Sequence, residues 1–192
     1  MDATHPNYGL TKSKEEKQSE DQPINPLPRA VLRSNTYILL DGTWNFALDS
    51  EDKGLEERWF LGHQYSYTGD WPGSIEDHML NAKIEPSKPT WKDEIVAWYE
   101  REFPMPEIPL NHGAPPSLIQ LTFGACGYET MVWLNGKLLR TIEGEELHTG
   151  EYTSFSYELD QESLKPVNRL TVRIADTMNA DIPRGKQESH VY

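Results

Sequence analysis

The chain has 192 residues, with 18 lysine and arginine residues against 31 aspartate and glutamate residues, and its formal net charge is −13. This length suits one domain with a substantial core, and the acidic balance argues against nucleic acid or an anionic membrane as partner, because both need basic patches. The single cysteine, Cys126, excludes an intrachain disulfide.

The N-terminal region differs in composition from the rest of the chain. Residues 1–30 are polar, charged and proline-containing, and KSKEEKQSED offers too little apolar surface to offset its ordering entropy. We therefore predict a flexible arm over 1–30 and a domain over 31–192. The opening MDATHPNYGL has no apolar stretch typical of a signal peptide, and no segment approaches the roughly 18 apolar residues of a membrane span. We expect a soluble chain, cytoplasmic unless a signal has been removed.

The first half of the domain predicts strands and then a long loop. TYILLDG and TWNFALD indicate two short strands around Asp41-Gly42, because Trp44, Phe46 and Leu48 alternate with polar or small residues. GLEERWF, from Gly54, has helix-forming residues for barely two turns. The stretch from Gly69 to Asp93 mixes glycine, proline, tryptophan and charges, which is typical of a loop.

The second half predicts a series of short strands. IVAWYEREF is followed by LIQLTFG, YETMVWLNG, KLLRTIEG, YTSFSYEL and RLTVRIAD. Asn135-Gly136, between two apolar runs, predicts a two-residue hairpin, since a type I′ turn needs positive φ at both positions. Eight or nine strands without a long helical pattern indicate an all-β antiparallel sandwich. YETMVWLNG is apolar on both faces, so this strand is either covered on both sides or faces another domain.

Motifs for chemistry are mostly lacking. The sequence has no GxSxG, GxGxxG, GxxxxGK[ST] or HExxH pattern, so no catalytic residue and no cofactor is expected. The six histidines are scattered without metal-ligand spacing and are expected on the surface or in loops. Cys126, among small residues at the end of an apolar strand, is expected to be a buried, inert thiol.

Tryptophans offer one link to carbohydrate, because flat aromatic faces stack on the C–H faces of sugar rings. Trp44, Trp98 and Trp133 lie in predicted strands and are expected in the core. Trp71 and Trp91 lie in the predicted loop, where exposure and ligand contact are more plausible.

The order of motifs resembles the N-terminal sugar-binding domain of glycoside hydrolase family 2, the family of β-galactosidases, β-glucuronidases and β-mannosidases. The matching stretches run in order from about Leu40 to Gln187: LDGTWNFALDSEDKGLEERWF, WPGSIED, AWYEREFPMP, LTFGACGYETMVWLNGKLL, EGEELHTGEYTSFSYEL and NRLTVRIADTMNADIPRGKQ. The resemblance implies a jelly-roll sandwich of galactose-binding type. It also implies that both catalytic glutamates sit on a downstream (β/α)₈ barrel of about 250 residues, beyond an immunoglobulin-like domain.

We therefore expect a non-catalytic domain, truncated before its last strand, that comes from a β-galactosidase-like enzyme of carbohydrate metabolism. Its expected partners are a β-glycoside and downstream domains of the same polypeptide. The lost strand would leave a sheet edge unpaired and favour homo-oligomers. None of the carboxylates Glu100, Glu129, Glu143 and Glu151 is assigned a catalytic role.

The resemblance also implies residues that reach the parent's substrate pocket. Asp176 matches an aspartate that helps to bind sugar just after the strand TVRIAD; the alternative is a strand-ending residue that caps a turn. Arg184, Lys186 and Gln187, in the loop that follows, can hydrogen-bond hydroxyls or a carboxylate, although a plain surface loop is an alternative. Trp91 lies in a segment that some relatives send toward the pocket.

Two other functions stay open. An autonomous carbohydrate-binding module would use Trp71 or Trp91 to bind sugar. A structural or interaction domain would expose the second apolar face of YETMVWLNG as a patch.

Overall fold

The computed structural model describes residues 37–84, 94–106 and 118–177. The predicted arm lies outside these ranges, as do Trp91, Arg184, Lys186 and Gln187. The described strands and helix, in chain order, are β1 (Gly42–Leu48), β2 (Tyr67–Trp71), α1 (Ile75–Asn81), β3 (Glu94–Pro104), β4 (Ile119–Phe123), β5 (Glu129–Leu134), β6 (Lys137–Leu138), β7 (His148–Thr149), β8 (Phe155–Leu159) and β9 (Val167–Thr177). Single turns of 3₁₀ helix occur at Trp59–Leu61 and Gln161–Ser163.

The strands form two antiparallel sheets. The main sheet has the order β2-β1-β3-β9-β5-β6, with β7 also paired to β5, and the small sheet pairs β4 with β8. The 11-residue strands β3 and β9 form the central ladder, from Glu94 opposite Thr177 to Pro104 opposite Val167. The predicted all-β sandwich of jelly-roll type is confirmed. The predicted hairpin is also confirmed, because Leu134 pairs with Lys137 and both Asn135 and Gly136 have positive φ.

The core lies between the two sheets. One face of the main sheet, which we call the inner face, contributes Phe46, Tyr99, Leu170 and Val172, all at most 2% exposed. The small sheet covers them with Phe123, Phe155, Tyr157 and Leu159. Alternation along strands with a period of two produces this face, as the sequence pattern of β1 and β9 predicts.

Residues 37–41 do not form the predicted strand. Side chains from elsewhere bind the carbonyl groups here: the Trp44 indole donates to the Leu40 oxygen at 2.9 Å, and Arg101 donates to the Leu40 and Asp41 oxygens. These carbonyls are therefore satisfied without a sheet. The strand TWNFALD is confirmed, but it pairs with β2 and β3 instead.

The prediction of a loop from Gly69 onward is wrong for its described part, which contains the end of β2 and helix α1. Ser74 caps the helix, with its Oγ accepting from the Asp77 amide at 3.2 Å, and Glu76 and Asp77 occupy the first turn. The helix buries His78, at 2% exposure, so the expectation of a surface histidine is wrong at that position. In the part of the chain described, no helix is long and apolar enough to cross a membrane.

Candidate functional site

Asp176 is the next-to-last residue of β9 and pairs with Ile95 of β3. It follows Leu170 and Val172 at even spacing, so it lies on the inner face of the main sheet, and it is only 8% exposed. The resemblance places this aspartate just after the strand, whereas β9 includes Asp176 and ends one residue later, at Thr177. Asp176 is thus a nearly buried carboxylate at one end of the main sheet.

Other polar residues meet at this end of the main sheet. Glu129, the first residue of β5, is opposite Ala175 of β9 and Thr149 of β7, and Thr130 is opposite His148. The His148 ring stacks on Phe155 with centroids 3.8 Å apart. Burial lowers the pKa of His148, against the raising effects of the Gly150 backbone and Glu143, so the neutral ring is favoured. The sheet end therefore gathers groups that are scattered along the sequence.

Cys126 lies near the same end and packs against the inner core. Burial raises the pKa of its thiol to about 12, while a hydrogen bond involving Thr130 acts in the opposite direction. A thiol that stays protonated at neutral pH is a poor nucleophile, which agrees with the predicted inert thiol, although Cys126 is partly exposed rather than fully buried.

The outer face of the main sheet holds a second cluster, which sequence reasoning did not find. Asp49, 4% exposed, accepts hydrogen bonds from the backbone amides of Lys53 and Gly54 at 2.9 and 2.8 Å. Its Oδ2 also accepts from the Trp98 indole at 2.9 Å. This carboxylate fixes the turn after β1 and directs residues 54–65 across the outer face.

Aromatic rings fill the space beneath that segment, and we call them the outer aromatic cluster: Trp59, Phe60, Tyr65, Trp98 and Trp133. Trp133 stacks between Trp98 and Phe60, at 5.2 Å from each ring. The prediction that Trp98 and Trp133 are core residues is confirmed, as it is for Trp44. Strand YETMVWLNG is thus covered on both faces within the chain, so the interaction-domain hypothesis loses its main support.

Charged residues extend this cluster along β3 and β9. Arg173, 5% exposed, donates to Asp52 at 2.7 Å, and Arg169 Nε lies 3.7 Å from Glu100 Oε2. Burial raises the pKa of Glu100, and Arg169 opposes that shift. Burial also raises the pKa of Tyr65, with the Glu100 charge adding to the effect. A carboxylate with a raised pKa is a candidate acid, but Glu100 faces an arginine beneath a covering segment, which fits a structural role.

Of the five residues predicted to bind substrate, only Asp176 lies within the described part of the chain. Asp176 lies at the sheet end just described, whereas Trp91, Arg184, Lys186 and Gln187 lie outside the described residues. The expectation that Trp71 is an exposed loop residue is wrong: it belongs to β2, stacks on Trp44 with centroids 4.5 Å apart, and packs on the inner core.

Comparison with known proteins gives matches among solved structures. A β-glucuronidase from an uncultured Clostridium species is 25% identical, with a TM-score of 0.52 over 70% of this chain and 21% of its own. The Ruminococcus gnavus β-glucuronidase is 26% identical, with a TM-score of 0.52 over 70% of this chain and 20% of its own. The same R. gnavus enzyme has also been solved in complex with D-glucuronic acid. No family model matches the chain.

The chain thus spans about a fifth of the length of these enzymes. β-Glucuronidases are one enzyme type of glycoside hydrolase family 2, so the predicted resemblance to that family is confirmed. The alignment covers a domain-sized part of larger hydrolases, which agrees with the motif order read from the sequence.

Proposed function

We propose that this chain is the non-catalytic sugar-binding domain of a retaining family 2 glycoside hydrolase, and that it lines one wall of the parent enzyme's pocket. The observation that supports it best is the structural match to β-glucuronidases over 70% of this chain but only about a fifth of theirs. In this proposal residues 31–192 form the sandwich, and the catalytic glutamates belong to a barrel elsewhere in the parent.

The parent's substrates in this proposal are β-glucuronides rather than β-galactosides. The similar structures are β-glucuronidases, one of them bound to D-glucuronic acid. Arg184 and Lys186 of this chain suit a sugar carboxylate, because arginine and lysine form charge-assisted hydrogen bonds with such groups. Asp176, at the end of β9, would accept hydrogen bonds from sugar hydroxyls.

The proposed non-catalytic role is tested by assaying the 192-residue chain for hydrolysis of nitrophenyl β-glucuronide and nitrophenyl β-galactoside. We expect no hydrolysis, because a retaining mechanism needs two carboxyl groups about 5 Å apart around one bond. Turnover that Glu100→Gln abolishes would overturn the proposal. A gene that stops after Tyr192 would also contradict it.

The pocket role is tested in the full-length parent. Asp176→Asn and Lys186→Ala should each lower kcat/KM for the glucuronide by about tenfold or more, the loss expected for a charged hydrogen bond. Asp160→Asn, on an exposed residue, is the matched control and should leave kcat/KM unchanged. Unchanged kinetics in both test variants would reject the pocket role, and thermal melts would identify a variant that merely unfolds.

A further inference from the structure

A shallow depression of about 350 Å³ lies where the chain enters the edge strand β2. Its lining includes Asn45 of β1, Asn81 at the end of α1 and the consecutive residues Tyr65, Ser66, Tyr67 and Thr68. The volume falls in the lower part of the range of small-molecule sites, about 300–1,000 Å³. Three separate parts of the chain therefore converge on one small concave surface.

The lining groups are polar but uncharged. Asn45, Ser66, Thr68 and Asn81 are exposed, so their amides and hydroxyls face the open depression. Such groups both donate and accept hydrogen bonds, as the hydroxyls of a sugar do. Among the described residues, no charged side chain lines the depression.

Two tyrosines complete the lining. Tyr67 is 39% exposed, and its ring packs on Phe46 with centroids 5.6 Å apart, which holds it in place. Tyr65 is anchored in the outer aromatic cluster, and its buried Oη has no hydrogen-bond partner in the described part of the chain. A fixed aromatic surface beside hydroxyl and amide groups suits the alternating C–H and O–H faces of a pyranose.

We propose that this depression binds a neutral sugar residue. Its place is distinct from that of Asp176: Asn45 pairs with Glu100, whereas Asp176 pairs with Ile95, five positions away along β3. At about 3.4 Å per residue the two places are roughly 17 Å apart along the strand. Asn45 and Asp176 also lie two strands apart and project from opposite faces of the main sheet. The inference stands whether or not the chain belongs to a larger hydrolase.

The depression should prefer neutral sugars to uronic acids. Glu100 lies beside Asn45 in the sheet, and the chain as a whole carries a net charge of −13. A sugar carboxylate would bring a negative charge toward this surface without a cation in the described lining to receive it. This preference is opposite to that of the proposed glucuronide pocket, so the two sites are separable by ligand.

The test is an NMR titration of the ¹⁵N-labelled 192-residue chain with methyl β-D-glucopyranoside, methyl β-D-galactopyranoside and glucuronate. We expect a neutral glycoside to shift the amide signals of residues 45, 65–68 and 81–82 with millimolar affinity, and glucuronate to shift them less. The double variant Asn45→Ala/Asn81→Ala should weaken neutral-sugar binding about tenfold, as expected for two lost hydrogen bonds. Gln120→Ala, which removes an exposed side-chain amide on β4, is the matched control. This variant should bind the sugar as the unmutated 192-residue chain does.

Three results would overturn the proposal. The first is no shift at the depression at any accessible sugar concentration. The second is binding that the double variant leaves unchanged while its thermal melt shows a folded chain. The third is concentration-dependent broadening along β2 without sugar shifts, which would indicate instead that this edge strand pairs with a second copy of the chain.

Discussion

The inner and outer faces of the main sheet use alternate residues of the same strands but are buried in different ways. The inner face is largely apolar, with polar residues such as Thr130 and Asp176 toward one end, and is covered by the paired strands β4 and β8. The outer face mixes tryptophans with Asp49, Glu100 and Arg173, and an irregular segment covers it. An apolar face needs only to be buried, whereas buried polar groups also need specific partners. The outer face should therefore tolerate fewer kinds of substitution.

The largest expected effects come from removing one large ring on each face. Phe46→Ala and Trp98→Ala should each lower the free energy of unfolding by about 3–5 kcal/mol, because both side chains are fully buried. Chemical denaturation measures both, with Leu80→Ala as control, since that leucine is 72% exposed. If Trp98→Ala cost no more than Leu80→Ala, the outer face would not be a second core.

A substitution at Gly54 should destabilise the fold nearly as much, because this residue packs closely against Trp98. A Cβ at Gly54 would lie 2.5 Å from Trp98 Nε1 and 2.7 Å from Asp49 Oδ2. Gly54→Ala should therefore destabilise the fold by about 1–3 kcal/mol. Trp98→Phe removes the obstructing indole nitrogen, so the double variant should be less unstable than the sum of the two single variants.

These variants form a double-mutant cycle, and its control combines Gly144→Ala with Trp98→Phe. A Cβ at Gly144 would meet nothing within 4 Å. Effects at that pair should add, as they do at independent sites. Additive effects at Gly54 and Trp98 as well would contradict the steric explanation.

A smaller effect is expected from the ion pair at the rim of the outer face. Asp52→Ala leaves the buried Arg173 guanidinium without its 2.7 Å carboxylate contact, which should cost about 1–2 kcal/mol. Glu146→Ala removes the partner of the exposed Arg140 and should change stability by less than about 0.5 kcal/mol. Equal costs for the two variants would show that burial of Arg173 adds nothing.

The smallest expected effect is a change in how the free energy of unfolding depends on pH. Burial holds the pKa of Glu100 above its ordinary value of 4.5, so between those two values the folded chain binds more protons than the unfolded chain. This carboxyl therefore lowers stability as pH rises through that window, and the loss is complete above the folded-state pKa. Relative to wild type, Glu100→Gln should gain stability from about pH 4 upward and then level off. Urea unfolding at a series of pH values measures this difference. If the free energies of unfolding of wild type and Glu100→Gln changed in parallel with pH, this assignment would be contradicted.

Much of the fold could be predicted because its signals are local. The Asn135-Gly136 turn and the alternation in β9 depend on neighbours in sequence, and both are confirmed. Residues 37–41 were misread because Arg101, some 60 positions away, binds their carbonyls. Helix α1 was missed because its seven residues make too few turns to reveal a helical period.

The candidate site was less predictable, for a related reason. Asp176 was assigned a role only through the resemblance to family 2 glycoside hydrolases, not through any pattern of its own. The partners of Asp49 are Lys53 and Gly54, close in sequence, but also Trp98, which is 49 positions away. The burial of His78 likewise depends on Tyr99, whose hydroxyl lies 2.9 Å from His78 Nδ1. Such pairs become visible only when the strands have been placed.

The hairpin turn has a consequence for the chemical durability of the protein. Asn135 donates through Nδ2 to the Ser163 and Asn168 oxygens and accepts through Oδ1 from the Arg169 amide. An asparagine before glycine is prone to lose its amide through attack by the next backbone nitrogen, and these three hydrogen bonds restrain the side chain from that reaction. Deamidation would place a carboxylate against two oxygen acceptors and loosen the hairpin from the start of β9. Peptide mapping of aged samples should therefore find the change at Asn135 mainly after partial unfolding, and rapid change in the native chain would contradict this.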